Sequence, residues 1–161
     1  MKKTAVLFIV ALAMPAAATS PPGPAQQVET ITFETSSCVF GACPGYRVTV
    51  NSEGSGTFEG GRSGTVTGTH AFQLEPGRYR AFARHLAPLR PARGTVRYTG
   101  ERCRSMDLDL PSAEVTWRSR RGTQSLFFEF GCDMDRNRAI SSRLHRAPSL
   151  LPIEDYIRAA R

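Results

Sequence analysis

The sequence predicts an α+β domain: an antiparallel sheet of about five strands with helices packed on one face. Three observations carry that expectation. Apolar residues alternate with Thr, Arg and Glu in several short runs, the period of half-buried strands. A helical period appears only where proline opens or closes the run. The runs follow one another as strands, helix, strands, helices, with no long-period repeat.

The first strand is read from Ile31, Phe33 and Thr35, which alternate with Thr32 and Glu34. Tyr46, Val48 and Val50 alternate with Arg47 and Thr49, and NSEGSG at 51–56 is turn chemistry. Thr57 to Glu59 returns, so residues 46–60 read as a hairpin. Gly60, Gly61 and Gly64 turn the chain again into a Thr-rich strand from Thr65 to Phe72. Pro76 suits the first turn of a helix, and Tyr79, Phe82, Ala83 and Leu86 give it an apolar face. Pro88 and Pro91 stop it. Residues 89–110 read as irregular, apart from a short strand signal at Thr95 to Tyr98. Val115 and Trp117, then Leu126, Phe128 and Phe130, form the second and most apolar hairpin around Arg120-Arg121-Gly122. Asn137 to Arg146 reads as a helix with Ile140 and Leu144 inward, and Pro152 opens a last short helix carrying Ile153, Tyr156 and Ile157.

The N-terminus predicts compartment. Lys2 and Lys3 precede a short apolar run from Ala5 to Met14, and Ala16-Ala17-Ala18 forms an A-x-A cleavage site. That is the pattern of a secretory signal peptide over residues 1–18. The apolar run is about half the ~20 residues a bilayer span needs. No cysteine stands at the cleavage point, so lipoprotein attachment is not indicated, and no later stretch is apolar enough to cross a membrane. Residues 19–27 are a Pro-rich tether, and 28–161 are expected to form one domain. The expected location is periplasmic or secreted.

Lys2 and Lys3 are the only lysines, so the mature part keeps 19 arginines against 14 acidic residues, a formal +5. Arg78, Arg80, Arg84, Arg90, Arg93 and Arg97 lie in one stretch that ends at Arg104 and has only Glu75 and Glu101 nearby. This stretch is a candidate anion-binding surface; the plainer reading is a solvated face whose Arg stems cover apolar surface. Nucleic acid is not expected as a partner, since no aromatic-basic motif accompanies the charge.

The four cysteines are Cys38, Cys43, Cys103 and Cys132. An exported chain meets an oxidising compartment, where such cysteines pair. Cys38 and Cys43 are spaced C-x4-C around Gly41, and Pro44 and a strand follow. A redox site needs C-x-x-C at a helix N-terminus, where the dipole lowers the thiol pKa. The arrangement therefore reads as a staple, worth about 2 kcal/mol in the chain-entropy account. A Cys103–Cys132 bond would add about 3.5 kcal/mol and tie the irregular segment to the end of the second hairpin. Four cysteines still allow three connectivities. A four-sulfur zinc site lacks the paired knuckle spacing. Tyr46 is expected to pack inward with Val48 and Val50 and to find a hydroxyl partner near the disulfide turn.

Other constellations are weaker. Asp133, Asp135 and Asn137 stand at calcium-loop positions 1, 3 and 5, but Arg138 replaces the required Gly and Leu144 the bidentate Glu. The better reading is an acidic loop capping the next helix. Asp107 and Asp109 alternate in MDLDLP and read as solvent-exposed or Arg-paired carboxylates at a strand entrance rather than an acid-base pair. His70, His85 and His145 are scattered, with no nucleophile motif beside them. No catalytic set and no cofactor or metal site is identifiable, so an enzyme is not expected.

The stretch CVFGACPGYRVTV at 38–50, followed by GTFEG, resembles the opening of a bacterial family of exported or lipoprotein domains known only as a domain of unknown function. The resemblance runs through Phe40, Gly41, Cys43, Pro44 and Tyr46, then Gly54, Gly60 and Pro111, into FFEFGCD and the helix with Asn137 and Ala139. It spans most of residues 30–158. Val39 departs from the pattern, which has the first cysteine directly before the Phe. The resemblance implies an α+β fold and export, and no catalytic activity. A non-catalytic structural or binding module is therefore expected, with an envelope protein, a glycan or an anionic surface as partner. A polyanion binder using the Arg stretch and a thiol-disulfide redox protein using Cys38 and Cys43 are the alternatives.

Cleavage after Ala18 predicts an exported protein beginning at Thr19. The intact mass of the exported chain checks this, and a retained Met1 would remove the cleavable-signal reading.

Overall fold

The structure is a computed structural model that describes residues 28–38, 43–60 and 66–158. The expected signal peptide and tether, and the motif residues Phe40 and Gly41, lie outside the described residues. Seven strands make one sheet: β1 (Thr30–Thr35), β2 (Tyr46–Asn51), β3 (Ser55–Gly60), β4 (Gly68–Gln73), β5 (Gly94–Tyr98), β6 (Ser112–Ser119) and β7 (Gly122–Glu129). Among the described residues three α-helices accompany it: α1 (Pro76–Leu86), α2 (Arg138–Arg146) and α3 (Glu154–Arg158). The strand order is β4-β3-β2-β1-β6-β7-β5.

β1 is the central strand because its alternation is satisfied on both sides. Ile31 and Phe33 lie opposite Val50 and Val48 of β2, and opposite Trp117 and Val115 of β6. These side chains, with Phe58, Leu126 and Phe128, form the buried face of the sheet. Tyr79, Phe82 and Leu86 of α1, Leu144 of α2, and Leu151 and Ile153 between α2 and α3 complete the same core. The other face carries a row of hydroxyls that crosses six strands in register: Thr57, Thr49, Thr32, Thr116, Ser125 and Thr95. β-branched residues suit such a pleated, half-solvated surface. Neighbouring hydroxyls meet at 3.2 Å between Thr32 and Thr49 and at 2.9 Å between Thr95 and Ser125. In the next row Arg47 bridges Glu34 and Glu59. At the β2–β3 turn, Gly54 takes φ +94°, and a Cβ there would approach the Leu74 carbonyl to 2.6 Å.

The expected sheet of about five antiparallel strands is thus a mixed sheet of seven. Its two edges are the weakest signals in the sequence, the Thr-rich run 65–72 and the short run 95–98. β4 is half-solvated along its length, so its apolar period is faint. β5 is short and has one neighbour, β7, to which it runs parallel. No residue in β5 encodes that direction. It follows from the connection. β5 and β7 finish at the same end of the sheet, where β6 begins, so residues 99–111 stay at that end and cross past β7 to reach β6.

That crossing is pinned. The Cys103–Cys132 disulfide joins it to the residues just beyond β7, with the Cα atoms 5.3 Å apart. The Asp107 N–H donates to the Gly131 carbonyl and the Asp133 N–H to the Ser105 carbonyl, each at 3.0 Å. Gly131 is required here, since a Cβ would collide with the Asp107 carbonyl oxygen. Asp133 Oδ1 accepts the N–H groups of Arg104 and Ser105, both at 2.9 Å, and the Ser105 hydroxyl at 3.3 Å. The acidic loop expected to cap α2 therefore caps the crossing instead, and Asn137, at the start of α2, makes no side-chain cap. Buried Asn137 donates to the Cys132 carbonyl at 2.9 Å and ties α2 to the same knot. Asp107 and Asp109 occupy an exposed turn, with Asp109 left-handed at φ 66°, rather than adjacent positions on one strand face.

The Ser105 N–H, and then the Arg104 N–H, hold the Asp133 carboxyl below its ordinary pKa. A depressed folded value contributes stability that is complete above the unfolded carboxylate range and is lost as pH falls through the folded value. Asp133→Asn keeps an acceptor but lacks the charge. It should lower Tm at neutral pH, and the gap to the wild type should close as pH drops below about 4. Thermal melts at pH 3 to 7 check this; a gap that does not narrow would show that the charge contributes nothing.

Candidate binding pocket

The residues singled out in the sequence are dispersed in the fold. Cys38 and Cys43 are bonded, with Cα atoms 5.2 Å apart, and Pro44 leads straight into β2 rather than into a helix. Both disulfides flank the same end of the sheet. The arginine stretch is divided between faces. Arg78, Arg80 and Arg84 are exposed on α1, and Arg93 is exposed in the loop before β5. Arg90 turns inward: it donates to Glu29 at 2.6 Å and to Gln124 at 2.7 and 3.1 Å, and its guanidinium lies 5.9 Å from the Trp117 ring centroid. Tyr79 adds a hydrogen bond to the same Glu29 carboxylate at 3.3 Å. Arg97 stands on the opposite face of the sheet, 4.0 Å over Phe127. Arg84 lines a shallow groove with Arg90 and Glu29, and α1 meets α2 one residue further on. His85 Nε2 donates to the Arg143 carbonyl and Arg143 Nη1 to the His85 carbonyl, each at 2.8 Å.

The histidines also stay apart. His70 stacks on Tyr156 at 5.1 Å, His85 is held by Arg143, and His145 stacks on Phe130 at 4.2 Å.

A concave site forms where the inner face of the sheet runs out beneath α2. It has a volume of about 280 Å³. Four rings wall it: Phe33 from β1, Tyr46 from β2, Phe130 beyond β7, and His145 from α2. Three prolines complete the wall: Pro44 before β2, Pro111 before β6 and Pro148 after α2. Cys43, Thr35 and Leu144 supply the remainder, so no formally charged side chain lines it among the described residues. Each wall has a local cause. The first disulfide places Pro44. The pinned crossing places Pro111, whose carbonyl accepts the Phe130 N–H at 3.1 Å. The α2 period turns Leu144 into the core and leaves His145 at the rim, flat against Phe130.

Tyr46 is the one polar group deep in this wall. It is 7 % exposed, and its ring stacks on Phe58 at 5.4 Å and meets Phe33 at 6.4 Å. Burial pushes its phenol well above its ordinary pKa, so the hydroxyl keeps its proton at neutral pH. The inward packing agrees with the sequence reading. Among the described residues the Tyr46 hydroxyl has no partner; residues 39–42 of the disulfide turn, where one is expected, lie outside the described residues. No fully enclosed side-chain polar atom among those residues lacks a partner, so the hydroxyl reaches open space. Sequence reasoning missed His145, Phe130 and Pro148 as site residues. Their only signal was an apolar or aromatic position at the end of an element.

The fold and pocket define a disulfide-stapled α+β domain with helices on one sheet face and a small aromatic cavity at the sheet's end. The chain belongs to the DUF6438 family, described as a domain of unknown function, whose profile matches residues 29–147. No curated protein and no solved structure matches the chain. The match stops before Leu151 and Ile153, which are nonetheless buried in the core, and before α3.

If the Tyr46 ring packs and its hydroxyl does not bond, two substitutions should separate. Tyr46→Phe should change stability by no more than about 0.5 kcal/mol. Tyr46→Ala should cost about 3 kcal/mol or more through lost burial and a cavity. Urea unfolding of both variants checks the pair; a Tyr46→Phe loss well above 1 kcal/mol would mean that the hydroxyl has a structural partner.

Proposed function

We propose that this protein is an exported, non-catalytic binding module that holds a small neutral ligand in the cavity between the sheet end and α2. The observation that carries the reading is a buried tyrosine whose hydroxyl has no partner among the described residues and which lines an otherwise apolar cavity. A hydroxyl that reaches open space within a concave apolar wall is available to a ligand atom. The protonated phenol is suited to donating a hydrogen bond rather than to taking a proton. Export is supported by the residue pattern of 1–18 and by two disulfides, which persist in oxidising compartments. The arginine stretch is a weaker basis for function, because Arg90 is spent on Glu29 and Gln124 and Arg97 faces the other way.

Thr35 lines the cavity from the last position of β1 and is only half-buried, so Thr35→Trp should fill the space without breaking the core. Small neutral probes (phenol, indole, toluene and cyclohexanol) should shift the Leu144 methyl and His145 ring signals of the wild type in NMR titrations. Thr35→Trp should abolish the shifts. No shift from any probe at millimolar concentration would overturn the reading.

A further inference from the structure

We infer that the cavity recognises a neutral planar aromatic group, one ring or two fused rings in size, that carries one hydrogen-bonding atom directed at the Tyr46 hydroxyl. The inference rests on the binding reading above and adds the chemical class of the ligand.

Size sets the first limit. A cavity of ~150 Å³ lined by aliphatic and aromatic side chains accommodates benzene. The volume here is about 280 Å³. That leaves room for a substituted ring or a fused bicycle, and none for an extended sugar or a long acyl chain. Shape and polarisability set the second. Phe33, Tyr46, Phe130 and His145 present ring surfaces, and Pro44, Pro111 and Pro148 present flat C–H faces. Aromatic groups gain from offset or edge contact with such walls beyond the gain from area alone. The His145–Phe130 stack, at 4.2 Å and 26° between planes, is a preformed ring platform at the rim that a third ring can extend.

Charge sets the third limit. With no Arg, Lys, Asp or Glu in the lining among the described residues, an ionised group would lose hydration without gaining a partner. Polarity sets the fourth. Tyr46 offers one hydroxyl, able to donate or accept, and Thr35 at the rim already directs its hydroxyl to the Ser36 carbonyl at 3.4 Å. One hydrogen bond at depth and stacking at the mouth favour a ring with a single polar atom over a plain hydrocarbon.

The test uses the full exported chain and five probes measured by NMR titration or calorimetry: phenol, indole, toluene, cyclohexanol and benzoate. Phenol and indole should bind at least about tenfold more tightly than cyclohexanol or benzoate. Tyr46→Phe should weaken phenol and indole by about threefold to tenfold, the range of one hydrogen bond, and leave toluene unchanged. His145→Ala, at an exposed position, should weaken all three aromatic probes and leave cyclohexanol unchanged. N-acetyltryptophanamide separates two sources of the ring. Affinity equal to that of indole would place an aromatic side chain of a partner in the cavity. Loss of binding would point to a free small molecule. Cyclohexanol binding as tightly as phenol, with Tyr46→Phe silent, would overturn the aromatic assignment while leaving the cavity a binding site. Silence from every probe would overturn the binding reading, and the assignment with it.

Discussion

The fold depends most on one pinned crossing, where residues 103–107 lie against residues 131–133. Chain connectivity alone would leave β5 free to join the sheet at several places, because a short edge strand with one neighbour contributes little apolar burial. The Cys103–Cys132 bond removes that freedom from the unfolded chain, and the Asp133 carboxylate, accepting two backbone N–H groups, fixes the register of the crossing. Gly131 lets the two backbones approach, which a side chain would forbid. The parallel pairing of β5 with β7 follows from this geometry. So does the position of Pro111, and with it one wall of the cavity. Asn137 extends the same constraint into α2, so the helix that carries His145 starts from the knot that places Phe130.

The single sheet divides its labour between faces. The inner face is apolar apart from Gln124 of β7, which Arg90 binds, and β4, where His70 and Phe72 lie opposite Phe58 and Gly56 and are only partly covered. α3 closes that side: Tyr156 packs on Phe58 and His70, and its carbonyl accepts the Val66 N–H at 2.9 Å. Among the described residues the outer face carries no helix. Its hydroxyl row and the Glu34–Arg47–Glu59 bridge let it meet water without an apolar patch, and exposed pairs of that kind add little stability. The large exposed apolar side chains among the described residues are Val28, Leu108, Leu110 and Met134. Three of them belong to the two segments of the pinned crossing or border it, so the rigidity of this region does not come from burying its own apolar groups.

How much of this was legible in the sequence depended on whether the signal was local. Alternation located β1, β2, β3, β6 and β7, and helical spacing located α1 and α2 to within a residue or so. Both signals arise from one residue's relation to its near neighbours. The edge strands were legible as short runs but with blurred bounds, β4 beginning three residues later than its Thr-rich run, because half-exposed strands weaken the period; the direction of β5 was illegible because it is a property of a connection. Asp133 was read as a helix cap from its place before α2; its true partners are almost thirty residues upstream. The arginine stretch shows the same limit. Contiguity along the chain is not contiguity in space: Arg84 is exposed on α1, Arg90 is bonded to Glu29 and Gln124, and Arg97 lies on the opposite face of the sheet. The cavity was the least legible feature, since Tyr46, Pro111 and His145 meet only through the sheet order.

That long-range assembly bears on how the cavity would work. A ligand that binds a flexible site must order it, at about 0.5–1.5 kcal/mol for each rotamer-rich side chain immobilised. Here the walls are rings and prolines, which have few rotamers to lose, and each is held by a constraint formed during folding. Pro44 follows a disulfide, Pro111 is hydrogen-bonded through its carbonyl, and His145 is stacked. Both disulfides and the pinned crossing thus lie at the end where the cavity opens, in addition to the core that spans the sheet. A planar ring entering this concave site, of about 280 Å³, would therefore meet surfaces that are already in place.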